Sequence, residues 1–180
     1  MYRDNSLIPS ETVRLAALGL LAEGRRSYGD LASEVRHLSA RIVGPSLDLL
    51  GPSIELLKVE GLAAAEADGP LAITAKGEAE LQRLLKAPLR GPVGEVNKLI
   101  IALKLRFLDR LECEEQMLQV EMLAETFEQE LARLNDLRGH LGEPAGRLGD
   151  WLQHDIAQLA VRIAWFRRLL DTLEAARPSE

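Results

Sequence analysis

The chain has 180 residues, 47% apolar and 28% charged, enough for one domain or two small ones sharing a core. A net charge of −6 excludes a general polyanion binder, and a single cysteine, Cys113, excludes both an internal disulfide and a cysteine metal cluster. The longest apolar runs, such as residues 99–103, are far too short to span a bilayer, so no membrane partner is expected.

Residues 1–9 are polar with few anchors and are predicted to form a loose arm. Their opening Met-Tyr-Arg-Asp-Asn has no apolar segment of the secretory kind, so a cytoplasmic location is expected. Ser10 opens the first predicted helix, with Glu11 in its first turn and Val13, Ala17, Leu20 and Leu21 at helical spacing. Gly24 ends it, and Arg25 and Arg26 fall in the connection. Ser27-Tyr28-Gly29-Asp30 has the form of a capping box, after which Leu31, Val35 and Leu38 mark a second helix to about Arg41.

Residues 44–62 are the stretch around which the rest is organised. Leu47, Leu50, Ile54 and Leu57 share one helix face, Ser46 is placed to cap that helix, and Gly61 is placed to stop it. Gly51-Pro52 leaves a second reading open: a short turn, then a helix beginning at Pro52. Beyond lie a short strand over residues 62–66, a turn at Asp68-Gly69-Pro70, a second strand over 71–73, and a helix capped by Thr74 that carries Ala79, Leu81, Leu84 and Leu85. This order is the outline of a winged helix-turn-helix, mainly α with a small β wing, in which the helix before the wing enters a DNA major groove.

On that outline Ser46, Ser53 and Lys58 are the groove-side donors, and Lys76 serves the wing as a phosphate partner. Arg25, Arg26 and Arg36 are candidates for contacts to phosphates around the second helix, and for Arg25 and Arg26 a second reading stays open, solvation of an exposed turn. Asp48, Glu55 and Glu60 make the recognition helix acidic, and the wing carries Glu66 and Asp68 without a basic residue. By side-chain chemistry alone this is a weak DNA-binding surface.

The same stretch resembles the PadR family of bacterial transcriptional regulators. Leu50, Pro52, Ile54, Leu57, Glu60, Gly61 and Leu62 sit where that family has its Leu-Tyr-Pro-Ala-Leu and Glu-Gly-Leu signatures, and Leu71, Thr74 and Gly77 match its Leu-Thr-x-x-Gly wing exit. Gly51 departs from the pattern, standing where the family commonly carries a phosphate-contacting tyrosine.

Residues 87–92, Ala-Pro-Leu-Arg-Gly-Pro, mark a natural boundary, giving a winged-helix domain over 1–90 and a helical domain over 91–180. Three long helical patterns follow. Val96, Leu99, Leu103 and Phe107 line the first. Met117, Leu118, Met122, Phe127, Leu131 and Leu134 line the second, from about residue 114 to 137. Trp151, Ile156, Leu159, Ile163, Phe166 and Leu170 line the third, from Asp150 as its cap to about residue 176. Apolar stripes of this length need partners, and a homodimer supplies them economically. Residues 99–108 and 155–165 resemble the dimerisation region of longer PadR-like proteins, which marks Leu99, Leu103, Phe107, Ile156, Ile163 and Phe166 as dimerisation residues. Trp151 and Trp165 share a face and either line an apolar effector pocket or pack as core aromatics.

No phosphate-binding loop, nucleophile elbow or paired-histidine metal motif is present, and His37, His140 and His154 stand apart from carboxylates and cysteine at ligand spacing. No enzyme, metal or cofactor is expected. What the resemblance implies is a homodimeric regulator, a repressor by family habit, reading a pseudo-palindromic operator and open to release by a small apolar or phenolic effector. The competing reading is a winged-helix protein-interaction module that has lost direct binding to double-stranded DNA.

Overall fold

The computed structural model describes residues 7–42, 53–65, 69–89, 91–141 and 146–177. These residues form α1 (Pro9–Glu23), α2 (Tyr28–Ile42), α3 (Ser53–Val59), β1 (Ala63–Ala64), β2 (Ala72–Ile73), α4 (Ala75–Lys86), α5 (Glu95–Arg106), α6 (Cys113–His140) and α7 (Leu148–Ala175), with a 3-10 turn at Leu108–Arg110. Two compact units result: Met1–Pro88 with Gly94–Leu111, and Leu89–Val93 with Glu112–Glu180. The architecture is mainly helical with a small two-stranded wing, as the residue pattern predicts. No helix among the described residues is long and apolar enough to cross a membrane.

In the first unit α1 is the central element. Leu15, Ala16, Ala17, Leu18 and Leu20 are all buried, and α2, α3, α4, α5 and β2 pack around them. A helix apolar around most of its circumference has to be enclosed in this way. It starts one residue earlier than predicted, at Pro9, with the Glu11 carboxylate accepting the Ile8 N–H at 3.2 Å. Leu7 is buried, so the predicted loose arm is anchored at its inner end. Ser27 caps α2 as expected, its Oγ accepting the Asp30 N–H at 3.1 Å.

Helix α3 turns Ile54 and Leu57 inward. It ends at Gly61, whose φ of 71° is in the left-handed region. There the Leu62 N–H donates to Leu57 O at 2.8 Å and the Gly61 N–H to Lys58 O at 3.1 Å, the paired bonds of a Schellman motif. The Ser46 cap and the Asp68 turn position lie outside the described residues. In the wing, Ala63 pairs with Ile73 and Ala64 with Ala72. A third segment joins it: Arg26 and Leu71 exchange backbone hydrogen bonds of 3.0 and 2.7 Å, so the connection after α1 is part of the wing.

Thr74 caps α4, its Oγ1 accepting the Gly77 N–H at 3.1 Å and donating to Gly61 O at 2.7 Å. Gly77 passes so close to β1 that a Cβ there would sit 2.1 Å from the Leu62 carbonyl oxygen. Helix α5 differs from expectation. It is only 12 residues long and packs against α1 and α2 within the first unit. Lys104 on it is buried, donating from Nζ to the Leu85 carbonyl and, at 2.7 Å, to the Ala87 carbonyl at the C-terminal end of α4. Burial pushes its ammonium down to about 7.

The second unit is an antiparallel pair, as the contacts Glu114–Arg177, Glu128–Arg167 and Arg138–Gln153 along its length require. Phe127 and Phe166 stack at 5.5 Å, and Leu134, Leu152 and Ile156 continue the core. Two sequence expectations are corrected here. Helix α7 starts at Leu148, so Asp150 lies inside its first turn, paired with Arg147 at 2.8 Å rather than capping the helix. Leu118 is 61% exposed, because Val120, Leu123, Phe127 and Leu134 form the buried face of α6 and Leu118 lies about 140° around the helix from Leu123.

Candidate nucleic-acid interface

The helix-turn-helix and wing are held by ion pairs that determine which charges remain for a ligand. Arg14 on α1 joins Glu60 at 2.8 Å to Glu80 at 3.2 Å, and Arg83 continues the chain to Glu80 and Glu11, each at 2.8 Å. The Arg83 hydrogen bond, helped by Arg14, holds the Glu80 carboxyl below its ordinary range against the opposing effect of burial. Glu60, one of the acidic residues that make the recognition helix look unsuited to DNA, is therefore neutralised within the protein. Sequence reading missed this role of Arg14 because its partner lies 46 positions away, a distance no local pattern encodes.

Arg26 is committed in the same way. Its guanidinium donates to Glu34 at 2.9 Å, to Glu23 at 3.1 Å, and to the carbonyls of Leu20 and Gly24 at 2.7 and 3.0 Å. Four contacts on a five-donor group leave little for a phosphate. Lys76 donates to Glu60 O at 2.7 Å, fastening the end of α3 to the start of α4 while its side chain stays exposed. Arg25, Arg36 and Lys58 stand differently: all three are exposed, and no hydrogen bond or ion pair is found for their side chains among the described residues. Ser53 is the first residue of α3, and Ser46 lies outside the described residues.

The outward side of α3 carries Glu55, Leu56 and Val59. Val59 is 82% exposed and Leu56 41%. At about 100° per residue, Val59 lies about 140° from Ile54 and about 160° from Leu57, so it projects opposite the buried face.

A cleft of about 390 Å³ in the same unit is lined by Arg26, Glu34, His37, Leu38, Arg41 and Arg106. Arg106 is engaged by Glu23 at 3.0 Å, whereas His37 and Arg41 are exposed. Of these residues the sequence singles out only Arg26 as a ligand contact, because α2 and α5 are brought together by tertiary packing alone.

The residues expected at a dimer seam are all buried within the single chain. Leu99, Leu103 and Phe107 are buried in the core of the first unit, while Ile156, Ile163 and Phe166 are buried in the α6–α7 pair. Trp151 and Trp165 are exposed in the single chain, at 55% and 44%, and Trp165 meets Phe166 edge-on at 4.9 Å. No group of three or more His, Cys, Asp or Glu that could hold a metal ion is found among the described residues.

Residues 2–170 match the family described as "Putative AphA-like transcriptional regulator". Among solved structures, PadR of Bacillus subtilis aligns at 19% identity over 94% of this chain and 98% of that one, with a TM-score of 0.41. The same protein in complex with p-coumaric acid aligns at 20% identity over 91% and 99%, at 0.38. In complex with operator DNA it aligns at 19% over 89% and 98%, at 0.37. No curated protein matches the chain.

Proposed function

The chain belongs to the AphA-like family of transcriptional regulators, a family of regulators and not of enzymes, and from that premise we propose that it binds double-stranded DNA as a homodimer. In this reading the first unit carries the winged helix-turn-helix and the second carries the dimer contact. Two copies present their α3 helices at the fixed spacing that a pseudo-palindromic operator demands. Repression, and release by a small apolar or phenolic effector, rest on the family resemblance alone.

One observation carries the DNA-binding part: Arg25, Arg36 and Lys58 are exposed and without ion-pair partners among the described residues, while Glu60, Glu80 and Glu23 are each neutralised by an arginine. Three of the acidic residues of this unit are thus balanced within the protein. Phosphate contacts need only a few free cations at the right places. The dimer part is supported by Trp151, Val161 and Trp165, all exposed on α7 and within about 80° of arc.

The test is binding to a genomic fragment holding the promoter of the protein's own gene, followed across a salt series. Affinity exceeding that for scrambled DNA and falling steeply with salt supports the reading. Equal binding to both at low salt removes it. The second reading, a protein-docking module, is favoured by the apolar outward side of α3, and loss of all DNA discrimination would turn attention to it.

A further inference from the structure

We propose that Val59 and Leu56 read thymine C5-methyl groups, making α3 selective for A·T pairs within its half-site; this rests on the DNA-binding reading above. The outward side of α3 offers few hydrogen-bonding groups to base edges. Among residues 54–59 the side chains at the solvent side are Glu55, Leu56 and Val59, with Lys58 exposed at the flank. Val59 is the most exposed of the large hydrophobic residues described, at 82%, and it lies opposite the Ile54–Leu57 face that holds the helix to its unit. If this outward side of α3 faces a major groove, Val59 and Leu56 are the apolar groups it presents, and the apolar feature of the groove is the thymine methyl.

The mount is rigid enough for such reading. The Schellman bonds at Gly61, the Lys76 ammonium on Glu60 O and the Arg14–Glu60 ion pair all fix the C-terminal end of α3, one residue beyond Val59. A side chain so close to a pinned helix end has a fixed position, which a shape-dependent contact requires. Lys58 beside it supplies positive charge toward the phosphates, while Glu55 is unfavourable near phosphate and suited to a cytosine or adenine amino group. Exposed cations on α2 and before it, with an apolar tip on α3, divide the labour as DNA readers do: charge positions the protein and base edges specify the site.

The experiment selects duplexes from a randomised double-stranded pool with the full-length protein, then remakes the best duplex with deoxyuridine replacing each thymidine in turn. Uracil pairs as thymine does and lacks only the methyl. Loss of one buried methyl contact is expected to weaken binding about fourfold at one or two positions per half-site. Val59→Ala is expected to abolish that discrimination at one of them while leaving the salt slope unchanged, since no phosphate contact is lost. Leu56→Ala should do so at a neighbouring position. A selected duplex that binds well but shows no uracil effect, or the same effect in Val59→Ala, overturns this inference and leaves DNA binding standing. Failure to enrich any duplex over the starting pool overturns both, and assigns the apolar side of α3 to a protein partner.

Discussion

The ring of Phe107 lies directly on the backbone of Gly19, so closely that a Cβ at residue 19 would sit 2.3 Å from its Cε2. The residue just past α5 is thereby locked to the middle of α1, which explains why it is buried within the first unit rather than free for a partner. Gly19→Ala is expected to destabilise the protein by about 1–3 kcal/mol, because the ring must move out of a packed site. Chemical denaturation measures this, and an unchanged midpoint would mean that Phe107 does not pack there. Pairing Gly19→Ala with Phe107→Leu should recover part of the loss.

Local signals predicted the first unit well. The Ser27 and Thr74 caps, the Gly61 stop and the two-stranded wing each depend on residues within a few positions of one another, and each is found where the spacing places it. The surroundings of α5 are not encoded locally. Val96, Leu99 and Leu103 give an apolar helix face, but periodicity does not say what covers it, and the answer is α1, some 80 positions earlier. The same limit hid the Arg14–Glu60 pair and the bridge from Arg26 to Leu71. For the interface, the sequence supplied the basic residues without revealing which were already paired.

Arg25 and Arg26 are neighbours with opposite expected phenotypes. Arg25→Ala should leave the unfolding midpoint within about 0.5 kcal/mol of wild type, as expected for an exposed site, while lowering operator affinity and reducing the salt slope by about one. Arg26→Ala removes a guanidinium that bonds two carboxylates and two carbonyls. It should cost about 1–3 kcal/mol of stability, with any effect on DNA following from that loss. If Arg25→Ala leaves the salt slope unchanged, Arg25 is not a phosphate contact.

Lys104 sets a pH dependence on folding. Its ammonium titrates near 7 in the folded chain, because burial disfavours the charge, and near 10.5 when unfolded. Between those values the unfolded chain holds a proton that the folded chain has released, so stability rises with pH across the window, by at most about 1.4 kcal/mol per unit. Below about 7 both states are protonated and the slope disappears. Lys104→Met is expected to flatten the profile relative to wild type. Parallel profiles for the two proteins would show that Lys104 remains charged in the fold, held so by the Leu85 and Ala87 carbonyls.

The dimer contact is best tested at Val161, which is 65% exposed and is not part of the Phe127–Phe166 core. Across a two-fold axis every residue of the contact occurs twice, so Val161→Lys introduces two like charges on the side of α7 that carries Trp151 and Trp165. Sedimentation equilibrium is expected to show dimer association weakened by tenfold or more, about 1.4 kcal/mol, with helix content unchanged by circular dichroism. The DNA consequence separates this from general damage. A monomeric variant should still bind an isolated half-site as wild type does and lose the gain that a second half-site provides. Unchanged association in the variant would move the dimer contact away from this side of α7.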